Sequence, residues 1–166
     1  MIKNILKIVN LKTLFAFVLY IVFRNDNKST RAYEIKEESI KPALLSSEFV
    51  LASKLKDIPV RGDIVIFNNN EKNIDVVKRV IGLPGEEVES QEGSILINSE
   101  RINDPWAKSF VDDFVKVQLR DDEIFVLGDQ RTLSSSDSRT IGPIKYLECW
   151  KLKMRYWPYY RFKTYE

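Results

Sequence analysis

Hydrophobic and polar positions divide this chain into two regimes. Residues 4–23, NILKIVNLKTLFAFVLYIVF, are mainly apolar, and as a helix rising about 1.5 Å per residue they would cover roughly the 30 Å hydrocarbon layer of a bilayer. Lys7, Asn10 and Lys12 interrupt the first half, so 13–23 is the uninterrupted run and the two lysines must snorkel toward one interface. A cleaved secretory leader and a buried amphipathic helix of a soluble domain begin from the same pattern. The leader lacks a small-residue cleavage step, because Phe23 is followed by Arg24-Asn25-Asp26-Asn27-Lys28. An uncleaved membrane anchor is therefore expected. Lys3, Lys7 and Lys12 on one side face Arg24, Lys28, Arg31 and Lys36 on the other, so charge counting leaves its orientation open.

From residue 46 onward the pattern changes to short β-type runs, which predict strands over 49–52, 63–67, 75–81, 94–98, 114–119 and 123–127. Turn chemistry separates them at Asn68-Asn69-Asn70, Leu83-Pro84-Gly85, Glu92-Gly93, Asn103-Asp104-Pro105 and Asp121-Asp122. No long helical period competes after the N-terminus, and there is no internal repeat. The expectation is an all-β, mainly antiparallel domain, partly closed into a barrel, with one N-terminal transmembrane helix. Residues 1–31 form the tip, anchor and linker on this division, and 32–166 form the folded domain.

Composition narrows the chemistry. Lys and Arg number 26 against 24 Asp and Glu, a formal charge of +2, which supplies no field that would concentrate nucleic acid. No nucleic-acid partner is expected. The lone cysteine, Cys149, can neither form an intrachain disulfide nor build a thiolate cluster, so no metal and no cofactor are expected. The chain contains no histidine. That removes every Ser-His-Asp and Cys-His mechanism, so a hydrolase here must move its proton with Lys, Asp, Glu or Tyr. Without a histidine to activate it, Cys149 reads as a small buried hydrophobe.

Two positions stand out. Ser39 lies in Ser39-Ile40-Lys41-Pro42-Ala43-Leu44, where Pro42 favours a turn or extended path that can aim a hydroxyl and nearby N–H groups at a carbonyl. Lys78 lies in a predicted strand with Val76 and Val80 on its own face. Desolvation there disfavours the ammonium, which is what a general base requires. An edge lysine with its stem on valines and its head in water explains the same local pattern.

Taken in order, four segments resemble those of type I signal peptidases. Ser39-Ile40-Lys41-Pro42-Ala43-Leu44 is similar to the nucleophile box, and Arg61-Gly62-Asp63-Ile64-Val65-Ile66-Phe67 to the following strand. Val77-Lys78-Arg79-Val80-Ile81-Gly82-Leu83-Pro84-Gly85 is similar to the base box. Gly128-Asp129-Gln130-Arg131 with Ser136-Asp137-Ser138-Arg139 and Gly142 resembles the family's Gly-Asp-Asn-Arg and Asp-Ser-Arg segment, and Arg155-Tyr156-Trp157-Pro158 its tail. The resemblance implies a Ser/Lys serine endopeptidase with Ser39 as nucleophile and Lys78 as general base. It also implies Ser135 orienting the amine, Asp137 and Arg139 as a supporting ion pair, and the Ser39 backbone N–H in an oxyanion hole. The implied substrates are signal-peptide-bearing preproteins, general or dedicated such as pilins, cleaved after small residues of Ala-x-Ala type. The implied setting is a single-pass anchor in the phospholipid of the cell membrane, with a minimal catalytic domain on the extracytoplasmic side.

The sequence departs from the family pattern in places. Ile40, Ala43 and Gln130 replace the usual Met, Thr and Asn, and one extra residue between Arg131 and Asp137 leaves Ser134, Ser135 and Ser136 competing for the orienting role. Glu37 stands two residues before the nucleophile, where relatives often carry Ser or Gly; its carboxylate would repel a developing oxyanion unless it points away. An assembly or chaperone-like factor with weak or absent proteolysis is the alternative, and retention of both Ser39 and Lys78 argues against it. A self-cleaving repressor would need a DNA-binding domain and an internal Ala-Gly or Cys-Gly site, which the sequence lacks.

Overall fold

The computed structural model describes residues 29–165. The expected anchor, 4–23, lies outside them, and no helix among the described residues is long and apolar enough to cross a membrane. The regular structure described is mostly antiparallel β-sheet, as the alternating runs predict.

The larger sheet is built from β1 (Thr30–Glu34), β2 (Phe49–Lys54), β3 (Ile64–Asn69), β4 (Ile74–Gly82), β9 (Glu123–Leu127), β10 (Ile144–Lys145), β11 (Trp150–Trp157) and β12 (Lys163–Thr164). Its order is β1-β2-β11-β3-β4-β9-β10, with β12 added on β11, so the path stays open between β1 and β10. The smaller sheet, of order β7-β6-β5-β8, comprises β5 (Glu87–Gln91), β6 (Ser94–Ile97), β7 (Glu100–Arg101) and β8 (Phe114–Gln118). A one-turn helix, α1 (Ser138–Ile141), follows β9.

Period-2 alternation sorts the apolar side chains into three packed clusters. Ile64 and Ile66 of β3 and Val77 of β4 join Ile35, Ile40, Leu44, Val50 and Leu152 on one face of the large sheet. Val65 and Phe67, with Val76 and Val80, join Ile124, Val126 and Cys149 on the other. Ile81, Phe125 and Leu127 turn toward Val88, Ile95, Ile97 and Leu119 and bond the two sheets together. β4 is therefore covered on both faces from Val76 to Gly82. Any polar side chain it carries there must find its partners inside the protein.

All six predicted strands are present, 123–127 with the same ends and the other five with ends shifted by one or two residues, but β1, β5 and β11 were not predicted, nor were the two-residue β7, β10 and β12. β5 reads EVESQ, too polar to register as a strand; Ser90 nevertheless turns inward with Val88. β11 holds a central place between β2 and β3. Register shifts between Leu152 and Met154 and between Arg155 and Trp157 break its alternation, so that Arg155 turns inward where strict alternation from Trp150 and Leu152 would point it outward.

Gly82 closes β4 at the sheet junction, where an added Cβ would lie 2.5 Å from Val88 Cγ2 and 2.9 Å from both Leu119 Cδ1 and Phe125 Cβ. Gly82→Ala is expected to cost about 1–3 kcal/mol by overpacking. Urea unfolding checks this, and an unchanged midpoint would show that the junction yields freely.

Candidate active site

The segment carrying Ser39 leaves β1 and returns into β2. Two backbone bonds, Ile35 N–H to Glu48 O at 2.8 Å and Ser47 N–H to Ile35 O at 2.7 Å, tie its two ends together. Between them the chain makes a tight turn, with Leu44 N–H donating to Ile40 O at 3.2 Å, while Ile40 and Leu44 plug into the core. Ser39 itself is held from outside, its carbonyl accepting from Gln130 N–H at 2.9 Å. The Ser39 backbone N–H donates to no backbone or side-chain group among the described residues.

Lys78 projects from the doubly covered stretch of β4, opposite Val65 of β3, and is only 1% exposed. Its Nζ lies 3.0 Å from Ser39 Oγ, 2.7 Å from Glu37 Oε2 and 3.1 Å from Val77 O. Three acceptors match the three donors of an ammonium. The same geometry suits a neutral amine, which would donate to Glu37 and Val77 O and receive the Ser39 hydroxyl proton on its lone pair. Ser39 Oγ also lies 3.1 Å from Glu37 Oε2 as donor. Serine, lysine and glutamate thus form a closed triangle, at the base of a cleft of about 170 Å³ lined also by Glu38, Leu133, Ser135 and Ser136.

Ser135 lines this cleft but makes no hydrogen bond to Lys78, whose donors are all engaged elsewhere. Ser136 Oγ accepts from Lys72 Nζ at 3.0 Å, and Ser134 Oγ is buried without a partner. Asp137 and Arg139 meet as a two-point ion pair, Nε to Oδ1 at 3.0 Å and Nη2 to Oδ2 at 2.9 Å. Arg139 Nη2 also reaches Arg131 O at 2.6 Å and Ser134 O at 3.0 Å, and the Asp137 carboxylate caps α1 through Arg139 N–H. The pair therefore staples the 131–136 loop that walls the cleft, rather than touching the serine or the lysine.

Two further supports escape a reading of isolated residues. Arg79 grips Asp129 through Nε at 2.8 Å and Nη2 at 2.7 Å, and its Nη1 reaches Gly62 O at 2.7 Å. This joins the strand carrying Lys78 to the Gly128–Gln130 segment that holds Ser39. Burial pushes the Asp129 carboxyl above its ordinary range, against the opposing pull of Arg79. From the chain's end, Arg155 Nη1 donates to Ala43 O at 2.7 Å and Arg161 Nη2 to Pro42 O at 3.3 Å. Both arginines pair with buried Glu48, at 3.3 and 2.6 Å. Their only signal in the sequence was the Arg-x-Trp-Pro tail. Cys149 is fully buried, and burial pushes its thiol up to about 12, which keeps it protonated.

Residues 4–149 match the family model described as signal peptidase, peptidase S26. Signal peptidase I of Bacillus caldolyticus is 34% identical over 149 residues, 78% of this chain and 81% of that protein. Signal peptidase IB of Staphylococcus aureus strain Mu50 is 32% identical over 155 residues, 79% of this chain and 80% of that protein. A crystal structure of a signal peptidase I from Enterococcus faecalis V583 aligns with a TM-score of 0.49 at 30% identity, over 57% of this chain and 95% of that one.

Asp129→Asn leaves the buried Arg79 guanidinium without its counter-charge, and the expected loss is about 3 kcal/mol or more of folding stability. Equilibrium denaturation measures it; a loss below about 1 kcal/mol would show that Gly62 O and solvent suffice for Arg79.

Proposed function

The chain belongs to the signal peptidase family, peptidase S26, and from that membership we propose that it cleaves signal peptides from exported preproteins by a Ser/Lys mechanism with Ser39 as nucleophile and Lys78 as general base. The observation that carries this reading is the 3.0 Å approach of Lys78 Nζ to Ser39 Oγ, with the lysine almost wholly buried at a cleft that both residues line. Uncharged Lys78 takes the hydroxyl proton as Oγ attacks the scissile carbonyl, then returns it to the departing amine; water later hydrolyses the acyl-enzyme. The unengaged Ser39 N–H supports its assignment as an oxyanion donor. Asp137 and Arg139 act as positioning residues through the 131–136 loop, and Ser135 is assigned to orient the amine once substrate enters the cleft.

The substrate is proposed to lie extended, with small side chains of Ala-x-Ala type before the cut. β9 pairs with β4 only from Arg79 to Gly82, which leaves the β9-facing edge of the 74–78 stretch without a strand partner. A groove lined by Tyr33, Ile66, Ile74 and Val77 runs along to Glu37, and a peptide strand could hydrogen-bond to that free edge there. The 1–31 segment is proposed as a single-pass anchor and linker, placing the catalytic domain on the outer face of the membrane. Trp157, Tyr159, Tyr160 and Phe162 are exposed together, and Arg161 links this cluster to the nucleophile turn at Pro42. Their amphipathic rings suit the headgroup level of a bilayer.

Incubation of the purified full chain with a preprotein, read by the mass of the new N-terminus, tests the proposal. Ser39→Ala is expected to lower cleavage by at least about a thousandfold and Lys78→Ala by about 10²–10⁴-fold. Undiminished cleavage by Ser39→Ala would overturn the mechanism, and full biological function without the hydroxyl would favour the assembly-factor alternative.

A further inference from the structure

Glu37 occupies a place that neither the nucleophile nor the base explains. Its carboxylate is 27% exposed and receives Lys78 Nζ at 2.7 Å, the shortest of the amine's three contacts, while also accepting from Ser39 Oγ at 3.1 Å. We propose that Glu37 is a positioning residue that holds the dyad in a resting, proton-loaded state and thereby sets the pH range in which the enzyme works. The inference rests on the Ser39/Lys78 reading above.

The proton inventory follows from the geometry. At rest, ammonium Lys78 donates to Glu37, Ser39 and Val77 O, and the Ser39 hydroxyl proton points at Glu37. Activation removes one proton from Lys78 to solvent and turns the hydroxyl from Glu37 toward the freed lone pair. Oγ then bonds to the scissile carbon, the carbonyl electrons move to its oxygen, and the hydroxyl proton passes to Nζ. The ammonium so formed again faces Glu37. That proton goes to the leaving nitrogen as the C–N bond breaks.

The carboxylate thus opposes the first step, because an opposite charge at this distance favours the ammonium. It assists the second, where positive charge reappears on Nζ. Among the described residues no other charge joins the triangle, though Glu34, Lys36, Asp75 and the Tyr33 phenol line the neighbouring groove that Glu37 shares. Glu38 pairs with Lys41 at 2.6 Å, and Lys72 is engaged by Ser136. Asp137 is committed to Arg139, and Asp129 to Arg79. Val65 of β3, opposite Lys78, is apolar.

The test is the pH dependence of kcat/KM on a peptide substrate for the full chain and for Glu37→Gln, with Glu37→Ser as a second charge-removing variant and Glu100→Gln, exposed on β7, as a remote control. The expected result is that the rising limb moves about one pH unit or more toward acid in both Glu37 variants, with a lower plateau kcat, while the control retains the wild-type profile. Superimposed profiles, or a change in KM alone, would overturn the role of Glu37. If either variant fails to fold, the other decides. Wild-type cleavage that is insensitive to Ser39→Ala would instead overturn the underlying mechanism, so the two failures are distinguishable.

Discussion

A lysine side chain with almost no access to water must satisfy three donors or give up its charge, and that demand organises the centre of this protein. Lys78 meets it with one main-chain carbonyl and two side chains, Ser39 and Glu37. The main-chain acceptor belongs to its own strand and is fixed by the sheet. The two side chains come from one segment, 37–39, so the placement of that segment decides whether the amine is satisfied. Burying a polar group without partners costs several kcal/mol. Folding therefore selects the arrangement that brings hydroxyl and amine together.

Three ion-pair groups hold that segment and its surroundings. Arg79–Asp129 ties the base strand to the backbone that receives Ser39. Asp137–Arg139 shapes the far wall of the cleft. Glu48, with Arg155 and Arg161, clamps the turn after the nucleophile from the chain's own C-terminal strand. Such pairs contribute little net stability compared with apolar replacements, but breaking one is costly. Their effect here is geometric, each fixing one stretch of backbone that borders the same small cleft.

Much of this was legible in the sequence where period-2 alternation holds, as in β3, β4 and β9, whose apolar residues divide cleanly between the clusters. β11 was not legible, because its register shifts move Arg155 inward and its many charges disguise a central strand. Ser39 and Lys78 lie 39 residues apart, and spacing alone could not bring them together; only the likeness of several ordered segments suggested it. Glu37 was visible as an anomaly, a charge that would trouble the oxyanion unless it pointed away, but its partner was not legible: it is turned toward the amine. Direction is set by the fold around 35–48, which no local pattern encodes.

The proposed mechanism requires an uncharged amine at Lys78 to receive the serine proton. Direct observation of the side-chain nitrogen by ¹⁵N NMR, with lysine labelled and Lys78 assigned by Lys78→Arg, measures its protonation as pH is raised. Loss of the ammonium signal is expected to track the rise of cleavage activity over the same pH interval. An amine that stays fully charged at pH values where cleavage has already reached its plateau would contradict it.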